Sequence, residues 1–186
     1  MNNKEKLIES AAIQMSQRGY ANVSLDALIE LTSISKSNLY YYYASKEELG
    51  LDVLKYWIEV YALLDKITIL NPKLPPRKQM STYFDRMIAF QKANQFCGNP
   101  CWLLTSEINT ESVKTDYASY SATHTSNLQQ FIAGGQKAGA ISKKLDVVGT
   151  SHLILFALLG AEMSVRAEKS AIPLIKAAKL ISHLLF

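Results

Sequence analysis

The stretch that decides the fold is residues 24–46, SLDALIELTSISKSNLYYYYASK. Ser24 can cap a short helix, and a polar break follows at residues 32–34. Ser35 can then cap a second short helix. Two short capped helices joined by such a break have the spacing of a helix-turn-helix, which this stretch therefore predicts.

The second short helix carries hydrogen-bonding groups on one face. Leu39 and Tyr43 are four residues apart and can both point inward, which turns the polar side chains outward. Ser, Asn and Lys near a helix start can reach base edges in a major groove, and tyrosine hydroxyls can contact phosphates. Lys46 opens the next helix, where backbone amides favour a phosphate. The predicted DNA contacts are Ser24, Ser35, Lys36, Ser37, Asn38, Tyr40, Tyr41, Tyr42 and Lys46; core packing is an equal alternative for Tyr40.

Helical periodicity continues along the rest of the chain, without a persistent alternation of period two. A stripe of apolar residues predicts a first helix over residues 4–18, ended by Gly19. Ser45 and Glu48 fit a capping box at the start of a long fourth helix. We therefore predict an all-α chain of about nine helices.

Two domains are expected along this chain. Residues 1–46 form a three-helix DNA-binding domain with the helix-turn-helix, and residues 47–186 form a helical domain for effector binding and dimerisation. The first 50 residues hold five basic and six acidic side chains, so DNA binding there depends on local geometry and not on net charge.

Composition excludes several classes of protein. Apolar residues make up 48% and charged residues 19% of the 186, as in ordinary globular domains. Two cysteines are too few for a secreted disulfide framework, and the chain opens without a signal-peptide pattern, so we expect a cytoplasmic protein. Its longest apolar run, Leu153–Ala161, is about half of the ~20 residues that a membrane-spanning helix needs. We expect no membrane association, no metal and no cofactor.

The N-terminal sequence resembles a known family. SLDALIELTSISKSNLYYYYASKEEL, residues 24–49, resembles the DNA-binding signature of the TetR family of bacterial transcriptional repressors. EKLIESAAIQMSQRGYANV, residues 5–23, resembles the first helix of that family and its Gly-aromatic ending. The resemblance implies that residues 35–42 and Lys46 contact an operator, that the rest of the chain binds a ligand, and that two copies act as a dimer.

Two serines depart from the pattern of that family. Ser33 stands in the turn where the family usually has Gly, which predicts a non-glycine residue at positive φ at a cost of roughly 1 to 2 kcal/mol. Ser37 replaces a common Gly of the recognition helix and adds a hydroxyl that faces the groove. We therefore do not expect an operator typical of the family.

Aromatic residues are concentrated in the second predicted domain, and helical bundles place ligand cavities between helices lined by such residues and a few polar groups. Core packing is the alternative for each of them. The predicted ligand-binding residues are Trp57, Tyr61, Tyr83, Met87, Phe90, Asn94, Trp102, Glu107, Tyr117, Tyr120, His124, Phe131 and Phe156.

Cys101 allows two interpretations. It is either an inert buried thiol or, near the amino end of a short helix that favours its thiolate, a site of oxidation or electrophile capture. Cys97 and Cys101 lack the spacing of a thiol redox pair and have no partner ligands at zinc spacing.

Residues 146–169 are apolar nearly all round, and the last helix carries an apolar stripe, so we expect a two-fold bundle of two helices from each of two copies. Burial in the core of a monomer is the alternative. The predicted function is a ligand-responsive repressor that binds a palindromic operator as a homodimer and is released by a small hydrophobic or electrophilic effector. A DNA-binding scaffold or an activator without ligand control is the alternative.

An enzyme is not expected, because Glu-x-x-His pairs, a phosphate loop and a nucleophile arrangement are all missing.

Overall fold

The computed structural model describes residues 2–186. Over this range it contains nine α-helices and no β-strand, which confirms the predicted all-α fold. The helices are α1 (Asn3–Arg18), α2 (Leu25–Thr32), α3 (Lys36–Tyr42), α4 (Lys46–Ile67), α5 (Pro76–Ala93), α6 (Pro100–Glu107), α7 (Glu111–Lys137), α8 (Val147–Glu168) and α9 (Ile172–Leu185).

Serine caps start both helices of the helix-turn-helix. The Ser24 hydroxyl accepts a hydrogen bond from the Ala27 amide at 3.1 Å, and the Ser35 hydroxyl accepts one from the Asn38 amide at 3.2 Å. Each bond satisfies a backbone donor that has no partner within its helix. Both predicted caps are confirmed.

Helix α4 starts with a modified version of the predicted capping box. The Ser45 hydroxyl accepts from the Glu48 amide at 3.1 Å, as expected. The Glu48 carboxylate, however, accepts from the amide of Ala44 at 2.8 Å and not from that of Ser45. The cap therefore also holds the residue that precedes it, at the end of the connection from α3.

The chain divides into two compact units. The first comprises the residues up to Val60 together with Asn99–Ser119. In it, α1 packs against α2 and α6, and α2 packs against α3. Leu39 and Tyr43 are buried, as their spacing predicts. The helix-turn-helix is thus anchored by the inner side of α3.

The second unit comprises Tyr61–Gly98 and Tyr120–Phe186. In it, α9 packs against both α5 and α8. Large apolar side chains nevertheless remain exposed on α8 and α9: Val148, Leu153, Phe156, Met163, Ile172, Ile175 and Leu180. We call these residues the α8–α9 apolar face.

Within the described residues, α8 is long and apolar enough to cross a membrane by length and composition alone. One such helix is weak evidence, because a core helix of a soluble protein passes the same test. One side of α8 is buried in the second unit, at Ile154, Leu158 and Val165 among other residues.

Candidate nucleic-acid interface and buried polar cluster

The outer face of α3 is open to solvent. Lys36, Ser37 and Asn38 in its first turn are exposed. Tyr41 is 81% exposed and Tyr40 is 48% exposed, so neither ring fills the core. The polar face predicted from helical spacing is therefore presented at the surface.

Contacts around the start of α3 are weak enough to be exchanged. The Lys36 ammonium lies 3.5 Å from the Asp26 carboxylate, and both side chains are largely exposed. An exposed ion pair of this kind contributes about 0 to 1 kcal/mol, so it does not withhold Lys36 from a phosphate. The hydroxyls of Ser35 and Ser37 lie 3.0 Å apart.

The carboxyl end of α3 is held by side chains of α1 and α4. The Tyr43 hydroxyl donates to the Asp52 carboxylate on α4 at 2.9 Å, and the Lys4 ammonium on α1 lies 3.0 Å from the same oxygen. Burial raises the pKa of Tyr43, and the hydrogen bond to the Asp52 carboxylate raises it further. This network joins α3 to α1 and α4 and fixes the orientation of the exposed face.

Lys46 is held against the turn between α1 and α2. Its ammonium donates to the Ala21 carbonyl at 3.3 Å and lies 4.3 Å from the centre of the Tyr20 ring. Burial lowers the pKa of Lys46, and the charge of Glu107 opposes that shift. The Glu107 carboxylate accepts from the Ala21 amide at 2.9 Å. Lys46 and Glu107 thus both form hydrogen bonds with the backbone of Ala21 in this turn.

The second unit contains a buried carboxylate with an unusual set of partners. The side chain of Asp65 on α4 is buried. Its Oδ2 lies 2.8 Å from Nδ1 of His124 and accepts from the Asn127 amide at 2.9 Å, both on α7. Its Oδ1 is buried without a hydrogen-bond partner. An unsatisfied buried acceptor normally costs about 1 to 3 kcal/mol.

A second buried carboxylate, Glu162 on α8, accepts from the Tyr61 hydroxyl at 2.8 Å. Burial raises the pKa of Tyr83 on α5 well above its usual value, and the charges of Asp65 and Glu162 raise it further. Both carboxylates therefore act on the same hydroxyl.

Aromatic rings surround these polar groups. The His124 ring stacks on those of Tyr83 and Tyr120, with centre-to-centre distances of 6.2 and 6.1 Å. Tyr61 meets Tyr120 and Phe90 edge-on at 5.9 and 6.3 Å. We call the polar group the Asp65 cluster: Tyr61, Asp65, Tyr83, Tyr120, His124, Asn127 and Glu162.

Residues 7–53 match the model of the TetR family of bacterial regulatory proteins. This match covers α2, α3 and most of α1, together with the start of α4. The N-terminal domain is therefore similar to the TetR DNA-binding domain. It contains a helix-turn-helix, as the N-terminal sequence predicts.

Two curated relatives, both named as helix-turn-helix-type transcriptional regulators or repressors, illustrate the extent of the likeness. The transcriptional regulator RutR of Escherichia coli is 41% identical over 59 residues, which are 31% of this chain and 28% of RutR. The chain thus spans under a third of RutR. The transcriptional repressor DhaR of Mycobacterium sp. is 20% identical over 92% of this chain and 86% of its own length.

Solved structures extend the likeness in fold beyond the DNA-binding domain. A TetR regulatory protein from Rhodobacter sphaeroides superposes with a TM-score of 0.89 at 17% sequence identity. The superposition covers 98% of this chain and 98% of that one. The TetR fold therefore extends through the second unit.

The residues predicted to bind an effector fall into both compact units. Tyr61, Tyr83, Phe90, Tyr120 and His124 come together around Asp65 in the second unit. The remaining candidates of that unit are Met87, buried on α5; Asn94, which donates to the Phe90 carbonyl; and Phe131, which lines a cleft of about 520 Å³ beside the connection from α4 to α5.

The other predicted effector residues lie in the first unit or at the surface of the second. Trp57, Trp102, Glu107 and Tyr117 belong to the first unit. Phe156 is 63% exposed and belongs to the α8–α9 apolar face. The aromatic residue type alone does not distinguish a side chain that lines a cavity from one that lies at the surface.

Cys101 is fully buried as the second residue of α6. The sequence predicts this position of Cys101 near a helix start. A buried thiol is one of the two interpretations that the sequence allows for it. Across residues 2–186, no group of three or more His, Cys, Asp or Glu side chains is arranged to hold a metal ion.

Sequence reasoning missed three members of the Asp65 cluster: Asp65, Asn127 and Glu162. Glu162 carried a usable signal, because it is an acid directly after the longest apolar run of the chain. Asp65 follows Tyr61 by one helical turn but resembles any surface acid of an amphipathic helix. Its burial depends on α7, which is distant in sequence.

Proposed function

We propose that this TetR-family regulator is a repressor that binds a palindromic operator as a homodimer and leaves it when a small molecule binds in the second unit. The observation that carries the DNA-binding step is the exposed face of α3, anchored from behind by Leu39 and Tyr43. The relative DhaR, named as a transcriptional repressor, supports repression as the direction of control.

In this proposal α3 enters the major groove. Lys36, Ser37 and Asn38 at its start reach base edges, and Asn38 can read adenine through two hydrogen bonds. The tyrosine hydroxyls and Lys46 contact phosphates, with Lys46 already oriented by Tyr20 and Ala21. Ser24 and Ser35, both exposed N-caps, complete the predicted set of contacts.

The α8–α9 apolar face supports the dimer. These exposed apolar side chains lie on two helices that pack against each other, and exposed apolar surface of this kind is a typical interaction site. A two-fold interface uses the same patch on both copies. In the dimer, two copies of α3 must lie about 34 to 36 Å apart to enter successive major grooves.

Effector binding is assigned to the Asp65 cluster and the aromatic residues around it. Helix α4 is unbroken from Lys46 to Ile67 and carries both Lys46 and Asp65. We propose that an effector displaces α4 and so changes the separation of the two recognition helices. Such a switch requires that the effector bind the two conformations with different affinities.

Burial of Cys101 favours a non-covalent hydrophobic effector over an electrophile, because reactive thiols are usually accessible. In this proposal the protein acts in the cytoplasm, without catalysis, a cofactor or a membrane.

The experiment measures operator affinity over a range of salt concentrations for Lys46→Ala, Asn38→Ala and the unaltered protein. Lys46→Ala should weaken binding to all sequences and reduce the salt slope by about one, whereas Asn38→Ala should change base preference at one position. Lys66→Ala, an exposed lysine at the other end of α4, is the control. An unchanged salt slope in Lys46→Ala would contradict its phosphate contact.

A further inference from the structure

We propose that the Asp65 cluster selects an organic amine that is protonated at neutral pH and carries an apolar body. This inference rests on the proposed effector control and specifies its ligand class. The amine nitrogen would donate to Oδ1 of Asp65, and the apolar body would pack on the neighbouring tyrosine rings.

The unsatisfied oxygen of Asp65 calls for a donor. Asp65 is 2% exposed, so bulk water does not solvate its carboxylate freely. Oδ2 has two partners, His124 and Asn127, while Oδ1 has none. Buried acceptors are normally satisfied, and exceptions often mark functional positions. A ligand that presents an N–H group to Oδ1 would complete the hydrogen bonds of this carboxylate.

The surrounding charges favour a cation over a neutral or anionic group. Glu162 accepts from Tyr61, whose ring meets that of Tyr120. Tyr120 in turn stacks on the His124 ring that faces Asp65, so two buried acids lie in one part of the unit. His124 faces Asp65, and Arg166, one turn after Glu162, donates to the Cys97 carbonyl at 2.9 Å. An anionic head group beside Oδ1 would be repelled and would offer that oxygen no donor.

Aromatic side chains supply the complementary apolar surface. Tyr61 and Tyr120 meet edge-on at 5.9 Å, and the Tyr83 and Tyr120 rings stack on His124. Aromatic faces attract organic cations and bury their hydrocarbon parts. The four helices that contribute these groups are α4, α5, α7 and α8.

The burial of Asp65 also implies that ligand binding is accompanied by a conformational change. A ligand can reach a carboxylate that is 2% exposed only if neighbouring helices move. Since Asp65 lies on α4, ligand entry would displace the helix whose other end carries Lys46. Binding would therefore be linked to the conformation that the DNA-binding domain adopts.

The test compares three compounds with the same phenyl body and different head groups: phenethylamine, phenethyl alcohol and phenylacetate. Calorimetric affinity for the protein and release of the protein from operator DNA are measured for each. The amine should bind most tightly and release DNA, and Asp65→Asn should weaken its binding roughly ten-fold or more. Asp85→Asn, which alters an exposed carboxylate on α5, should leave amine binding unchanged.

Glu162→Gln provides a second variant in case Asp65→Asn does not fold, and it should also weaken amine binding. Preference for the alcohol or the carboxylate, or amine affinity that is insensitive to both variants, would overturn the inference. So would the absence of binding by all three compounds. Each of these results leaves the proposed repressor intact if the protein binds its operator, whereas loss of operator binding by the unaltered protein contradicts the proposed function itself.

Discussion

Ser33 shows how a single residue carries strain at the centre of the DNA-binding domain. It ends α2 with φ 57° and ψ 25°, the left-handed region that its position in the turn predicts. Lys6 compensates for the strained ending by donating to the Thr32 carbonyl at 2.6 Å. The turn is therefore formed without the glycine that the geometry favours.

Ser33→Gly should stabilise the protein by about 1 kcal/mol, because glycine adopts this conformation without the Cβ penalty. The expected rise in melting temperature is roughly 2 to 4 °C for a chain of this length. Ser33→Ala is the control, since alanine keeps Cβ and should give no increase. Equal melting temperatures for the glycine and alanine variants would show that Ser33 carries no strain.

Helix α7 contains two adjacent glycines whose surroundings differ. Gly134 and Gly135 lie side by side near its end. A Cβ at Gly134 would meet no atom within 4 Å, whereas a Cβ at Gly135 would lie 2.5 Å from Cδ1 and 2.8 Å from Cγ1 of Ile141. Gly135 is therefore required by the approach of Ile141, and Gly134 is not.

Gly134→Ala should stabilise the protein by about 0.5 to 1 kcal/mol, because alanine favours the helical backbone. Gly135→Ala should instead destabilise it by about 1 to 3 kcal/mol, since buried Ile141 must move from a packed position. Chemical denaturation of both variants measures the difference. A stabilising Gly135→Ala would mean that Ile141 can move at little cost.

At the scale of the whole molecule, the proposed dimer uses the α8–α9 apolar face. Phe156→Glu places a charge on this face and should convert the proposed dimer to a monomer, because a buried unpaired carboxylate in a two-fold interface is costly on both copies. Light scattering measures the mass, and operator affinity should fall in parallel. Leu63→Glu, at an exposed leucine on α4, is the matched control and should remain dimeric.

A dimeric Phe156→Glu variant would contradict the assignment of this face. Retained operator affinity in a monomeric variant would separate DNA binding from dimerisation. Either result is informative because exposure alone does not distinguish an interface residue from an isolated surface residue.

The sequence by itself determined the helix-turn-helix, its serine caps and the exposed face of α3. These features depend on interactions within about four residues, such as Ser35 with Asn38. The turn at Ser33 was predictable for the same reason, because the constraint is in its own backbone.

Only the tertiary structure revealed the Asp65 cluster, the turn held by Glu107 and the exposure of Phe156. Asp65 and His124 are 59 residues apart, and Ala21 and Glu107 are 86 residues apart. No local pattern encodes which distant side chain will meet a carboxylate, because helical periodicity defines a face and not its neighbour. The cluster forms only when α4 and α7 pack together and remove Asp65 from water.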